Sequence, residues 1–308
     1  MKKVFISIIN FNGKKNTLEC LRSIDNLNMT GIDLNVVVID NASKEKLDLE
    51  EKILQNASLK IILNNNNLGF SGGHNVGINY ALSKTADYVV ILNNDTILDK
   101  NLVYELLNVF DKDLKIGIVS PKIYFAKGFE FHKDRYKNED IGNVLWYAGG
   151  DMDWENVIGK HIGVDEVDKG QYEKQREIDF SSGCCMIIKK EVFEKVGFFN
   201  EKYFLYYEDN DYSQRAKKTG YKIVYAPKAV LWHKNAGSAG GSGSNLQDYY
   251  ITRNRLLFGL AYVPLKAKFA LLRESFKLLF AGRYWQKKGV LDFYLRKFGK
   301  GSYRTTNE

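Results

Sequence analysis

Two groups of polar and acidic residues, more than a hundred positions apart, carry the chemistry this chain can do. Asn93-Asn94-Asp95 ends an apolar run, and Glu208-Asp209-Asn210-Asp211 follows the aromatic stretch Tyr203 to Tyr207. A lone carboxylate just past a strand can hold a hard divalent ion against a diphosphate, and a carboxylate at a helix N-terminus can take a proton from a hydroxyl. Together they point to group transfer from an activated donor. Each also has a plainer use. Asp95 could cap a nearby helix, although Asp99 is better placed for it, and Asp209 or Asn210 could cap a helix running to about Thr219 with Gly220 at its C′ position. The acid at 208, 209 and 211 exceeds what a cap requires. His233, in Leu231-Trp232-His233-Lys234, is a candidate second metal ligand.

The elements that must position these residues are legible as periodicity. Val4–Ile9, Leu34–Ile39, Leu59–Leu63 and Tyr88–Leu92 are short apolar runs of the kind buried strands show. Helical spacing over 17–27, 45–56 and 76–82 separates them, giving βαβαβαβ and so an α/β fold around a mostly parallel sheet. Ligands of such sheets bind at the carboxyl ends of the strands. The polar residues there are Asn10 and Asn12, Asp40-Asn41-Ala42-Ser43, Asn64 to Gly73, and Asn93-Asn94-Asp95. Asp40 can read a base or ribose, or cap the segment after Ser43. The glycine-rich stretch Asn67 to Gly77 follows the third strand and is expected to be a loop opening a helix, its N–H groups facing phosphate or ribose oxygens, or its glycines serving only a turn and packing. Its glycines at 69, 72, 73 and 77 do not match the dinucleotide fingerprint.

Composition narrows the class. The 308 residues hold 45 Lys and Arg against 37 Asp and Glu, a net charge of +8. Residues 250–308 alone hold 13 basic and 3 acidic residues, so the basicity belongs to the C-terminal region. Three cysteines, Cys20, Cys184 and Cys185, have neither disulfide nor zinc spacing, which suits a reducing compartment. Val4–Ile9 is too short for a signal-peptide core and no run of 18 apolar residues occurs, so a cytoplasmic chain without a membrane span is expected. No nucleic-acid-binding module is recognisable.

The ordered set Asp40-Asn41-Ala42-Ser43, Asn67-Leu68-Gly69-Phe70 with Gly73 and Asn75, Leu92 to Thr96, Ser182-Gly183-Cys184, Val196 to Glu201, Tyr207-Glu208-Asp209 to Arg215, and Trp232-His233 resembles family 2 inverting glycosyltransferases of the GT-A fold. It is most similar to the rhamnosyltransferase-like branch that builds bacterial surface polysaccharides. The resemblance covers about residues 4–255. It implies that Asp40 contacts the nucleotide base, Asp95 is the metal-binding acid of the D-x-D-type motif, His233 is a metal or diphosphate ligand, and Asp209 is the base, with Glu208 beside it. Asn93 stands where a strict D-x-D would carry its first acid. It further implies a nucleotide-sugar site formed by Asn10, Asn12, Asp40, Asn41, Gly69, Phe70, Gly73, Asn75, Asn93, Asn94, Asp95 and Arg253, an Mg²⁺ or Mn²⁺ cofactor, and a dTDP- or UDP-linked donor. A glycan or lipid-linked acceptor would meet Gly183, Cys184, Tyr207 and Asp211. The expected organisation is a nucleotide-sugar-binding half over 1–120, an acceptor-binding and catalytic half over 121–245, and a basic helical extension over 246–308.

Four segments keep two readings. The small-residue stretch 235–244 is a linker or a lid over the donor. Residues 203–207 form a sugar platform or pack in the core, and 125–180, with Trp146 and Trp154, shape the acceptor site. Arg253 and Arg255 meet diphosphate oxygens or are surface charges. Leu265, Phe269, Leu272, Phe276, Leu279 and Phe280 mark one apolar helix face ringed by Lys266, Lys268, Arg273, Lys277, Arg283, Lys287 and Lys288. That is the pattern of a helix lying on an anionic membrane, or of one packed on the catalytic domain. Two other functions remain. A sugar-1-phosphate nucleotidyltransferase would need a basic glycine-rich loop where Asn10-Phe11-Asn12-Gly13-Lys14 stands, and Asn93 leaves room for a catalytically silent nucleotide-sugar-binding module.

Overall fold

The computed structural model describes residues 1–47, 53–235 and 243–304. Its first half runs β1 (Lys2–Asn10), α1 (Lys14–Ile24), β2 (Ile32–Asp40), β3 (Ser58–Leu63), α2 (Gly69–Ser83), β4 (Tyr88–Asn93), β5 (Thr96–Leu98), α3 (Leu102–Phe110) and β6 (Ile116–Phe125). The second runs β7 (Leu145–Tyr147), β8 (Gly150–Asp153), β9 (Ile158–His161), β10 (Arg176–Glu177), β11 (Cys185–Lys189), α4 (Lys190–Val196), α5 (Glu208–Lys218) and β12 (Lys222–His233). Three helices close the chain: α6 (Asn245–Tyr262), α7 (Leu265–Ala281) and α8 (Tyr284–Tyr294).

The main sheet has the order β10-β12-β6-β11-β4-β1-β2-β3, with β5 added to β12 and β7 to β6. Strands β3, β2, β1 and β4 are parallel, as the apolar runs require. The turn away from that pattern is β11, which lies antiparallel between β4 and β6. Because β1 pairs with β2 on one side and β4 on the other, strand order reverses at β1, and a crevice opens at the carboxyl ends of β1 and β4. Asn10, Asp40 and Asn93 stand at those ends, with Asn10 opposite Asp40 and Ile9 opposite Asn93. The central strands supply the core: Val36–Ile39, Val89–Leu92 and Met186–Ile188 are almost wholly buried. The expected division at 120/121 falls inside β6, so one sheet spans both halves.

Several local expectations are corrected. The glycine-rich stretch is helix α2 from Gly69 on, and its glycines serve close packing. A Cβ at Gly77 would strike Ser7 Oγ and Ile39 Cδ1, and Gly69, at φ +70°, presses against the Phe204 carbonyl. A helix over 45–56 is absent at both described ends, 45–47 and 53–56; its middle lies outside the described residues. Helix α5 begins at Glu208, so Asp209 and Asn210 occupy its first turn and Tyr207, at φ 71°, holds the N-cap position. Neither Asp95 nor Asp99 is a helix cap: α3 starts behind Asn101, whose N–H donates to Asp99 Oδ1. The aromatic run is no sugar platform, since Tyr203, Phe204 and Tyr207 are buried. The expected lid over 235–244 lies mostly outside the described residues; Ser244 accepts the Gln247 N–H and caps α6.

Candidate active site

Asp95 and His233 meet because β5 runs antiparallel to the end of β12, setting Thr96 opposite His233. The Lys234 N–H donates to the Asp95 carbonyl at 2.9 Å, and Asp95 Oδ1 lies 3.1 Å from His233 Nε2. Both side chains are nearly buried. The His233 ring packs edge-on against Trp146 at 4.6 Å, and Trp146 against His161 at 4.5 Å. Burial holds the His161 pKa down to about 4, so it adds no positive charge beside His233 at neutral pH. His233 Nδ1 is buried without a partner. The nearest ammonium, that of Lys234, is drawn aside into an ion pair with Glu19.

A carboxylate oxygen beside an imidazole nitrogen, with the imidazole's Nδ1 unpartnered and the adjacent lysine engaged by Glu19, fits a hard divalent ion. Among the described residues no group of three or more His, Cys, Asp or Glu side chains could enclose one. The rest of the shell would therefore come from donor diphosphate oxygens and water. That agrees with Asn93, whose half-buried side chain stands where a second carboxylate would be.

Asp209 is held from two sides. Its Oδ2 accepts the Gly183 N–H at 3.0 Å, and its Oδ1 accepts the Asn210 N–H at 2.8 Å and Asn210 Nδ2 at 2.9 Å. Burial raises its pKa above the usual aspartate value, while these donors, which favour the ionised form, pull it back. The outcome is upward, contrary to what a helix N-terminus alone would give. Glu208 is different. It is buried, its Oε2 has no partner, and burial followed by the charge of Asp209 lifts its pKa well above the carboxylate range.

The segment Gly183-Cys184 joins the two clusters. Its Gly183 N–H binds Asp209 and its Cys184 carbonyl accepts the Asn93 N–H at 2.9 Å. Asp209 and the Asn93 end of β4 are therefore fixed on adjacent residues of one short piece of backbone. The loop leading into α5 is strained, with Phe204, Tyr206 and Tyr207 all at φ between 64° and 71°. Asn254 Nδ2 of α6 reaches the carbonyls of Tyr203, Leu205 and Tyr206, each at 2.8 Å, and Arg253 Nη2 reaches those of Lys202 and Tyr203. From the other side the Phe70 N–H, at the start of α2, donates to the Phe204 carbonyl at 2.7 Å.

Many residues expected to contact ligand also hold this frame. Arg253 is fully buried; besides those carbonyls it bonds Gly299 O and Asn254, so it is no diphosphate ligand. Arg255 pairs with Glu274 and the Asn156 carbonyl. Asn10 is spent on Asp40, Ser43, Gly13 and Thr17. Asn41 is spent on Asn64, Asn67, Leu68 and Gly69, and Asn75 on Phe199 and Glu201. Asn12 Oδ1 accepts the Lys44 N–H, and Asn94 Nδ2 donates to Thr17. Asp40 accepts from Asn10, Ser43 N and Leu47 N, folding its own loop. Gly73 leaves room for Ile9, and the Phe70 ring packs on His74 and Phe199. Of the expected acceptor contacts, Gly183 serves Asp209 and Cys184 is a buried thiol whose pKa burial raises. The Tyr207 hydroxyl donates to Val157 O, and Asp211 binds Arg215 and Tyr262. Asn254 went unnoticed in the sequence, and Asn210 was read only as a possible helix cap. The only signal was an amide beside a charged residue in a segment that must be buried.

An open α/β sheet with a switch point at β1/β4, an aspartate-histidine pair at one side and a positioned aspartate at the other define a nucleotide-sugar transferase class of site. Residues 5–197 match the profile of Glycosyl transferase family 2, and the chain belongs to that family. It is 27% identical over 222 residues to the low-salt glycan biosynthesis hexosyltransferase Agl10 of Haloferax volcanii, covering 72% of this chain and 66% of that protein. It is 39% identical over 154 residues to the N-acetylglucosaminyl-diphospho-decaprenol L-rhamnosyltransferase of Mycobacterium tuberculosis, covering 50% of this chain and 49% of that one. The chain thus spans between half and two thirds of these relatives' lengths. A crystal structure of GalNAc-T7 with UDP, GalNAc and Mn²⁺ shares the fold, with a TM-score of 0.61 at 17% identity over 96% of this chain and 58% of that one. The GT-A expectation for the fold holds.

His233→Ala should weaken Mn²⁺ binding in the presence of a nucleoside diphosphate at least about tenfold, read by calorimetry. Unchanged affinity would remove His233 from the site.

Proposed function

We propose that this chain is an inverting, divalent-metal-dependent hexosyltransferase that moves a sugar, rhamnose first among candidates, from a dTDP- or UDP-linked donor to a hydroxyl of a glycan or lipid-linked saccharide. The observation that carries the reading is the Gly183-Cys184 bridge, which holds Asp209 and the Asn93–Asp95 turn at one site. Asp209 takes the proton of the acceptor hydroxyl. The freed oxygen attacks the anomeric carbon as the bond to the diphosphate oxygen breaks, and the electron pair leaves with the nucleoside diphosphate, so configuration inverts. A divalent ion, Mg²⁺ or Mn²⁺, held by Asp95 and His233 would supply Lewis-acid stabilisation of the leaving diphosphate. Gly183 and Asn210 keep Asp209 aimed and ionisable. The relatives' printed activities, a hexosyltransferase and a rhamnosyltransferase acting on a diphospholipid, support the donor and acceptor classes. Asp40, with its loop already folded around it, is the residue we place nearest the base. Three free, buried thiols suit a reducing, cytoplasmic setting.

Asp209→Asn should lower transfer by about 10²- to 10⁴-fold and leave nucleotide-sugar binding intact by calorimetry; near-normal turnover would move the base to Glu208 or Asp211. The pH profile follows from the sign of the shift. The base acts deprotonated and its pKa is raised, so activity should fall on acidification at a higher pH than an ordinary aspartate would give. Asn210→Leu removes a donor that favours the carboxylate, and the acidic limb should move further up; a downward move or none would contradict the assignment.

A further inference from the structure

Helix α7 has two apolar faces where a helix packed at the protein surface needs one. Leu271 and Ser275 are buried, and Ala267 and Leu278 pack on the core beside them. About half a turn round the helix, Leu265, Phe269, Phe276 and Phe280 stand 72%, 70%, 57% and 81% exposed, with half-exposed Leu272 between them. The neighbouring helix extends the patch. The Tyr294 hydroxyl lies 2.7 Å from Ser275 Oγ and its ring 6.0 Å from that of Phe276, bringing exposed Leu291 and Leu295 alongside. Tyr284 and Tyr294, each with an apolar ring and a polar tip, sit at its margin, as aromatics do at membrane–water boundaries.

Charge selects what covers it. On the helical wheel Lys266, Arg273 and Lys277 border one side of the stripe and Lys268 the other. The one acid of α7, Glu274, is engaged by Arg255 at 2.7 Å and does not neutralise them. A second copy of the chain would bring these like-charged borders together, whereas anionic headgroups complement them. Among the described residues no helix is long and apolar enough to cross a membrane.

We propose that the exposed α7–α8 face is an interfacial docking surface for an anionic lipid bilayer. The apolar side chains enter the headgroup boundary and Lys266, Lys268, Arg273 and Lys277 meet lipid phosphates. The surface stands on α7 and α8 alone and its test involves no turnover, so its failure would leave the transferase reading untouched.

Flotation of the full chain should show binding to vesicles containing phosphatidylglycerol, weaker binding to pure phosphatidylcholine, and loss at high salt. Arg273→Gln with Lys277→Gln should weaken anionic-vesicle binding by about fivefold for each charge removed. Phe269→Asp with Phe280→Asp should abolish it while leaving the melting temperature unchanged, because both rings already face solvent. Wild-type failure to float, or unaltered flotation of the aspartate variant, would overturn the proposal. So would a wild-type dimer in light scattering that the aspartate variant converts to monomer, since the occupant would then be a second copy.

Discussion

The capture of backbone carbonyls at 202–206 is the interaction on which the arrangement of the site depends. Three non-glycine residues in the left-handed region, Phe204, Tyr206 and Tyr207, cost on the order of 1–3 kcal/mol each. Such a loop persists only if its surroundings over-determine it. Here the donors come from three places: Asn254 and Arg253 on α6, and the N-terminus of α2. The result is that α5 starts where its first turn faces Gly183, and Asp209 is delivered to the carboxyl end of β4 and the amino end of β11. The C-terminal extension thereby takes part in building the site, although none of its residues is placed on substrate.

This explains which features were legible in the sequence. The parallel strands could be read because each is a near-continuous apolar run, a signature that survives without knowing its neighbours. The short strands β7 to β10 could not, since their pairing is decided by distant partners and their own residues carry little periodicity. Asp95, His233 and Asp209 stood out as ionisable residues at element ends, and the family resemblance rather than their local pattern supplied the roles expected of them. The surrounding amides were found and given the wrong work. Asn10, Asn41, Asn75 and Asn94 lie at the right edge of the sheet, but loops that converge must first satisfy one another's backbone, and that task consumes them. Arg253 is the clearest case. A guanidinium offers the same fork to a diphosphate or to carbonyls, and position along the chain does not distinguish them. The glycine-rich stretch was misjudged for a related reason: its glycines answer to Ser7, Ile39 and Phe204, contacts that exist only once the sheet is assembled.

Electrostatically the site separates its tasks by burial. Of two adjacent carboxyls, both raised by burial, Glu208 has an unpartnered oxygen, while Asp209 has three donors to stabilise its charge and is left a stronger base than a surface aspartate. Near the Asp95–His233 pair, burial lowers the His161 pKa and Lys234 is engaged by Glu19, so neither sets an unpaired positive charge beside it at neutral pH.

The anomeric configuration of the product tests that displacement most directly. Proton NMR of the first-formed glycoside, taken before any mutarotation, should show configuration opposite to that of the nucleotide-sugar consumed. Retention would contradict a mechanism in which Asp209 acts as base and the acceptor oxygen attacks opposite the departing diphosphate.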